Sequence, residues 1–193
     1  MKSILISVLC IIGFAFPVMA DDKETVANLL QERTEAVLNV FQKNDINEQV
    51  KKSLIMNIVG PIFDFQLIAK LSLGKANWGK LSKKQQKVFI GLLVTRLQNA
   101  FFDKSAMFYY MKISFKPAVI HGNKVYVPIN VETKDTPLEM VYKFYSSDEG
   151  WKSYDVEING VSLVKSYQAQ FSEILKSGNA EYLIASLRKP VEE

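Results

Sequence analysis

The sequence holds one cysteine, one histidine and two tryptophans among 193 residues. The cysteine, Cys10, stands alone, so a disulfide framework, a cysteine-ligated zinc site and a CxxC redox pair are all excluded. A single histidine leaves nucleophilic triads and most transition-metal sites without parts. That histidine, His121, falls in an expected hairpin turn beside Gly122, a place for a solvated loop residue. G-x-S-x-G, P-loop and dinucleotide glycine patterns are missing as well. Carboxylates are the last enzymatic route. Asp64, between Phe63 and Phe65, reads as a helix cap, and Asp155, between Tyr154 and Val156, reads as an ion-pair or hydrogen-bond partner on a strand. No catalytic residue, metal site or cofactor is expected. Charge is nearly balanced, 24 basic against 20 acidic residues, and no arginine-rich stripe exists, which excludes nucleic acid as a partner.

Long apolar runs are confined to the N-terminus. Lys2 is the only charge before Asp21, and Ile, Leu, Val and Phe dominate up to Phe16, followed by Pro17-Val18-Met19-Ala20. A short basic start, an apolar core and small side chains at −3 and −1 predict a signal peptide over residues 1–20, cleaved before Asp21. Eighteen uncharged residues would also just span a bilayer. Pro17 and the abrupt switch to Asp21-Asp22-Lys23-Glu24 favour cleavage. Leu9 before Cys10 argues against lipoprotein processing, and no twin-arginine pair is present. Cleavage removes Cys10 and Lys2 and leaves 173 residues with a net charge of +3. These are expected to form one exported domain over 21–193.

Within that domain the apolar period is helical first. Helices are predicted over 24–43, 46–59 (ended by Gly60-Pro61), 65–73 (Asp64 before it, Gly74 after it) and 83–104, opened by the capping box Ser82-x-x-Gln85. The period then becomes two. Ile113 and Phe115 alternate with polar residues, as do Val125, Val127, Ile129 and Val131, then Leu138, Met140, Tyr142 and Phe144, and last Tyr154, Val156 and Ile158. Turns are expected at 121–123, 133–137 and 146–150, and Asn159-Gly160 closes the series. Four strands on short turns form an antiparallel meander with one apolar face. Helices over 163–176 and 180–188 finish the chain. The fold class is α+β: a four-stranded meander packed with about six helices, helical over 21–110, sheet over 111–160 and helical again over 161–190.

Two features remain. Lys80, Lys83, Lys84 and Lys87 cluster where a helix begins, against the helix dipole, so they do not serve helix stability. They form either a solvated face or a contact for anionic headgroups or an acidic partner. Twelve Phe and eight Tyr, most on inward stripes, either pack a core or leave a cleft for an apolar ligand. Composition does not choose between these.

From Phe63 onward two ordered blocks carry a resemblance. The first reads Phe63-Asp64-Phe65, Ile68-Ala69, Leu73-Gly74, Trp78, Leu81-Ser82, Gln85-Gln86 and Phe89. The second reads Trp151, Tyr154-Asp155-Val156, Ile158, Gly160-Val161-Ser162-Leu163, Tyr167, Gln170-Phe171 and Leu175. In order and spacing, over about residues 24–188, the chain resembles the MlaC-type phospholipid-binding proteins, the toluene-tolerance auxiliary family. Many members have an arginine where this chain has Gln168. The resemblance implies a soluble periplasmic carrier of glycerophospholipids that maintains outer-membrane lipid asymmetry. It would shuttle lipid between an outer-membrane lipoprotein–porin complex and an inner-membrane ABC transporter bearing an MCE-domain ring. A hopanoid-related branch leaves another lipid open, and a periplasmic chaperone for a hydrophobic protein segment is the alternative function. The expected lipid cavity lies between the sheet's apolar face and the helices. Its expected lining is Ile113, Phe115, Val127, Ile129, Met140, Tyr142, Phe144, Tyr154 and Val156 from the sheet, with Phe65, Phe89, Leu93 and Phe101 from the helices. Some of these must be ordinary core.

Overall fold

The computed structural model describes residues 19–103, 112–132 and 136–189. The expected signal peptide lies, up to residue 18, outside the described residues, as does most of the expected turn at 133–137. Helices α1 (Met19–Phe41), α2 (Glu48–Val59), α3 (Phe65–Leu73), α4 (Lys75–Trp78) and α5 (Lys83–Asp103) come first. Six strands follow: β1 (Lys112–Phe115), β2 (Val119–His121), β3 (Lys124–Glu132), β4 (Leu138–Ser147), β5 (Gly150–Ile158) and β6 (Val161–Ser162). Helices α6 (Leu163–Ser177) and α7 (Ala180–Leu187) complete the described chain. Among the described residues no helix is long and apolar enough to cross a membrane.

The local signals behind these elements are satisfied. Asn47, Asp64, Ser162 and Asn179 each accept a backbone N–H of the helix they precede. The box before α5 closes as expected: the Ser82 N–H donates to Gln85 Oε1 at 2.8 Å, and the Gln85 N–H donates to Ser82 Oγ at 3.3 Å. Gly74 ends α3 at φ +78°, where a side chain would be strained and its Cβ would sit 3.2 Å from Gln168 Nε2. The Gly also opens α4, a single turn that raises the described helices to seven from the six expected.

The sheet is a meander in the order β1-β3-β4-β5-β6, antiparallel throughout, with β2 also paired to β3. It has six strands instead of four. The first addition, β2, continues the β1 edge beyond Pro117: the Lys116 N–H still donates to Pro128 O at 2.9 Å, and pairing resumes at Val119↔Tyr126. Proline lacks the amide for a ladder, so it breaks the edge strand in two and leaves a second piece, three residues long, too short to alternate visibly. His121 is thereby the last residue of β2, its ring stacked on Tyr126 at 4.3 Å, not a turn residue. The second addition, β6, follows from Asn159 (φ 49°) and Gly160 (φ 79°), the left-handed pair of a tight hairpin that returns the chain along β5.

Three apolar clusters hold these layers. On the sheet's apolar face, Val125, Val127, Ile129, Val131 and Phe144 pack against Val26 and Leu30 of α1. Phe89 and Leu93 of α5 are buried with Ile68 and Leu73 of α3, Phe171 of α6 and Leu183 of α7. The far half of α1, through Val37, Val40 and Phe41, meets Ile55 of α2 and Phe102 of α5.

On the other sheet face, Asp155 ties α6 to the sheet. Its carboxylate accepts the Ser162 hydroxyl at 2.7 Å and the Val164 N–H at 3.1 Å, and it pairs with Lys143 at 3.4 Å. Lys143 also pairs with Glu157. Desolvation alone would lower the Lys143 pKa, but the hydrogen bond to Glu157 and the two carboxylate charges raise it. Asp155 is therefore an ion-pair partner and a helix anchor together, its charge set at the positive end of the α6 dipole. Asp155→Ala is expected to cost about 3 kcal/mol by leaving the Ser162 hydroxyl and the Val164 N–H without their acceptor and Lys143 with Glu157 alone. Asp155→Asn, which keeps an acceptor for Val164, is expected to cost less; equilibrium denaturation of both variants measures the difference.

Candidate functional site

Two consecutive residues divide their side chains between the faces of the sheet. Phe63 and Asp64 run beside β5, with the Asp64 N–H donating to Ser153 O at 2.9 Å and Phe63 bridged to Ser153 in parallel sense. Neighbours on an extended segment point to opposite sides. Phe63 accordingly reaches Tyr142 on the apolar face, ring centroids 6.4 Å apart, and stacks on Phe65 at 5.7 Å. It packs against both the sheet cluster and the helical cluster. Asp64 turns the other way. One carboxylate oxygen accepts the Leu67 N–H at 2.7 Å as the cap of α3, and the other accepts the Tyr145 hydroxyl of β4. This hydrogen bond, then desolvation, pushes the Tyr145 phenol up to about 12.

The expected lining residues separate by depth. Val127 and Phe144 are 0% exposed and Ile129 is buried beside them, so these three are filled core. Phe89 and Leu93 are equally buried in the helical cluster, apart from the sheet face. Phe101 stands with α1 and α2 in the third cluster. Ile113, Phe115, Met140 and Tyr142 share the apolar face and stay half-buried there, as does Phe65 at the seam. The register confirms their common side: Phe115 opposes Ile129, Ile129 opposes Met140, and Tyr142 opposes both Val127 and Val156.

Tyr154 lies elsewhere. Lys143 opposes Asp155 but Phe144 opposes Ser153, so one residue of β5 is extra, and that residue is Tyr154. The bulge turns it to the polar face. There its hydroxyl meets that of Tyr126 at 3.3 Å, its ring edge faces Tyr145, and Lys124 sits 4.7 Å over it. Strict alternation from Val156 had put it on the apolar side.

Tyr142 has the most informative surroundings. Burial alone pushes its phenol up to about 12, yet the residue keeps accessible surface. Its neighbours are the rings and aliphatic side chains of the apolar face, Phe63 among them. Phe63 was not among the expected lining residues. Its sequence signal was its place next to the cap Asp64, and its contact with Tyr142 depends on a pairing with a residue far along the chain.

Tyr142 and Tyr145 both prefer the protonated phenol in the fold, relative to an ordinary value near 10. Their contribution to stability is present in full below pH 10 and is lost as pH rises from 10 towards 12. Absorbance titration is expected to show Tyr142 and Tyr145 ionising late, beside upward shifts at Tyr126 and Tyr167, with the denaturation midpoint falling over the same window. Tyr142→Phe and Tyr145→Phe should each remove one late phenol; a single transition near 10 for all tyrosines would contradict this assignment.

The comparisons with known proteins agree with this architecture. No curated protein matches the chain significantly. Among solved structures, the chain is similar to the phospholipid-binding protein from Ralstonia solanacearum, determined in complex with a phospholipid. The TM-score is 0.75 at 23% sequence identity, covering 83% of this chain and 93% of that one. At this identity the likeness is one of fold. The family model for the MlaC protein matches residues 31–189, from the middle of α1 to the end of α7, and the chain belongs to the MlaC family.

Proposed function

We propose that the protein is a soluble periplasmic phospholipid carrier, exported as a single domain over residues 21–193, that binds lipid without altering it. The observation that carries this reading is the half-buried apolar seam of Met140, Tyr142, Ile113, Phe115, Phe63 and Phe65, with the desolvated phenol of Tyr142 within it. Membership of the MlaC family and the phospholipid bound by the protein of like fold support it. The acyl chains enter the seam between the apolar sheet face and the helices. Val127, Ile129, Phe144 and Val156 back this seam as packed core, and Phe89 and Leu93 hold the helical wall in place.

The physical need is plain. Two acyl chains carry roughly 28 methylenes, and at ~0.8 kcal/mol each their exposure to water costs on the order of 20 kcal/mol. Crossing an aqueous space requires cover for those chains and no chemistry that would cleave them. The donor and acceptor on this reading are an outer-membrane lipoprotein–porin complex and the MCE-domain ring of an inner-membrane ABC transporter.

Native mass spectrometry of never-denatured protein is expected to find a phospholipid on the mature chain. Met140→Trp is expected to lower its occupancy while costing less than the ~1–3 kcal/mol of overpacking a filled core. Stable protein that neither carries nor takes up lipid would sink the proposal, as would a peptide found in its place.

A further inference from the structure

The chain's charge is unevenly distributed. From Phe65 to Phe102 there are six lysines, one arginine and no carboxylate, within a protein whose net charge is only +4. The arginine is committed: Arg96 donates to Ser186 O at 3.2 Å and to Lys189 O at 3.1 Å, closing the end of α7. The lysines are exposed, and among the described residues none of Lys80, Lys83, Lys84 and Lys87 has a carboxylate within ion-pair distance. Lys83, Lys84 and Lys87 fall within about a third of the α5 circumference, given 3.6 residues per turn. Lys84 shares a shallow groove with Arg188, the residue that caps the end of α7, over Val88, Ile184 and Ala185. The only carboxylate of that groove, Glu181, accepts a hydrogen bond from Gln85 Nε2 at 2.7 Å.

We propose that this face, Lys80, Lys83, Lys84 and Lys87 of the α5 start with Arg188 across the groove, docks the protein on an anionic membrane surface. Four lysines in the first turns of a helix, or just before it, oppose the helix dipole and each other, so the fold has no use for them. Protein interfaces favour arginine and aromatic anchors and are depleted in lysine. Long-stemmed, unpaired point charges instead suit a fluid array of headgroups, which offers no fixed geometry to match. The proposal concerns the outer surface and does not depend on what the seam holds.

The test is sedimentation of the full mature chain with vesicles of phosphatidylcholine alone or with about one third phosphatidylglycerol. At about fivefold per lysine, replacing all four by glutamine is expected to lower binding to the anionic vesicles by roughly 600-fold. Wild-type binding should also collapse between about 0.1 M and 1 M salt, as the screening length falls from about 10 Å to about 3 Å. Circular dichroism and the thermal midpoint of the variant should be unchanged or improved, and its co-purified lipid unchanged. Equal binding to neutral and anionic vesicles, binding to neither, or undiminished binding by the variant would overturn the proposal. So would binding to polyglutamate but not to anionic vesicles, which would point to an acidic protein instead. A chain that sediments with anionic vesicles but carries no lipid would overturn the carrier reading alone.

Discussion

The arrangement depends on one short backbone contact. Phe63, in extended conformation, and Asp64 after it lie against Ser153, and the opposite directions of their side chains assign two tasks to two faces of the sheet. Phe63 enters the apolar seam and joins the sheet cluster to the helical one. Asp64 caps α3 and takes the Tyr145 hydroxyl on the polar side. A slip of one residue would send a carboxylate into the apolar seam and leave both the cap and the phenol unpartnered, so the register is strongly determined.

The two carboxylates that bind helices to the sheet work reciprocally. Asp64 belongs to a helix start and reaches a strand residue; Asp155 belongs to a strand and reaches a helix start. Both sit where a helix dipole favours negative charge and where free amides need acceptors. Their bonds are directional and fix α3 and α6 against the sheet. The contacts of α1 with the sheet are of another kind, Val26 and Leu30 against Val125 to Val131, and the side-chain bonds of Gln31 and Thr34 remain within the helix. One side of the seam is thus held by geometry and the other by apolar contact.

Much of this was legible in the sequence because it is local. The helical stripes, the cap Asp64, the Ser82–Gln85 box and the common face of Leu138, Met140, Tyr142 and Phe144 all follow from periods and caps that neighbouring residues determine. What failed to read is non-local. Pro117 disguised a broken edge strand, and β6 is too short to show a period. The bulge that turns Tyr154 away depends on a partner strand, which a run of alternating residues does not reveal. The depth order of the apolar face has the same origin. Val127 and Met140 both alternate correctly, but only packing by α1 decides that the first is filled core and the second is half-buried.

That asymmetry bears on what the seam can hold. Apolar burial is non-directional and scales with area, so a wall held by it can shift to cover more or less surface without breaking a bond. The directional bonds of Asp64 and Asp155 fix the opposite wall in register. The acyl chains of the proposed ligand differ in length and unsaturation but not in chemistry, and for them a compliant wall on a fixed frame suits better than a rigid mould. The shortage of cysteine and histidine belongs to the same account. In the proposed carrier role, contents that are returned unaltered are served by side chains that pack and do not react.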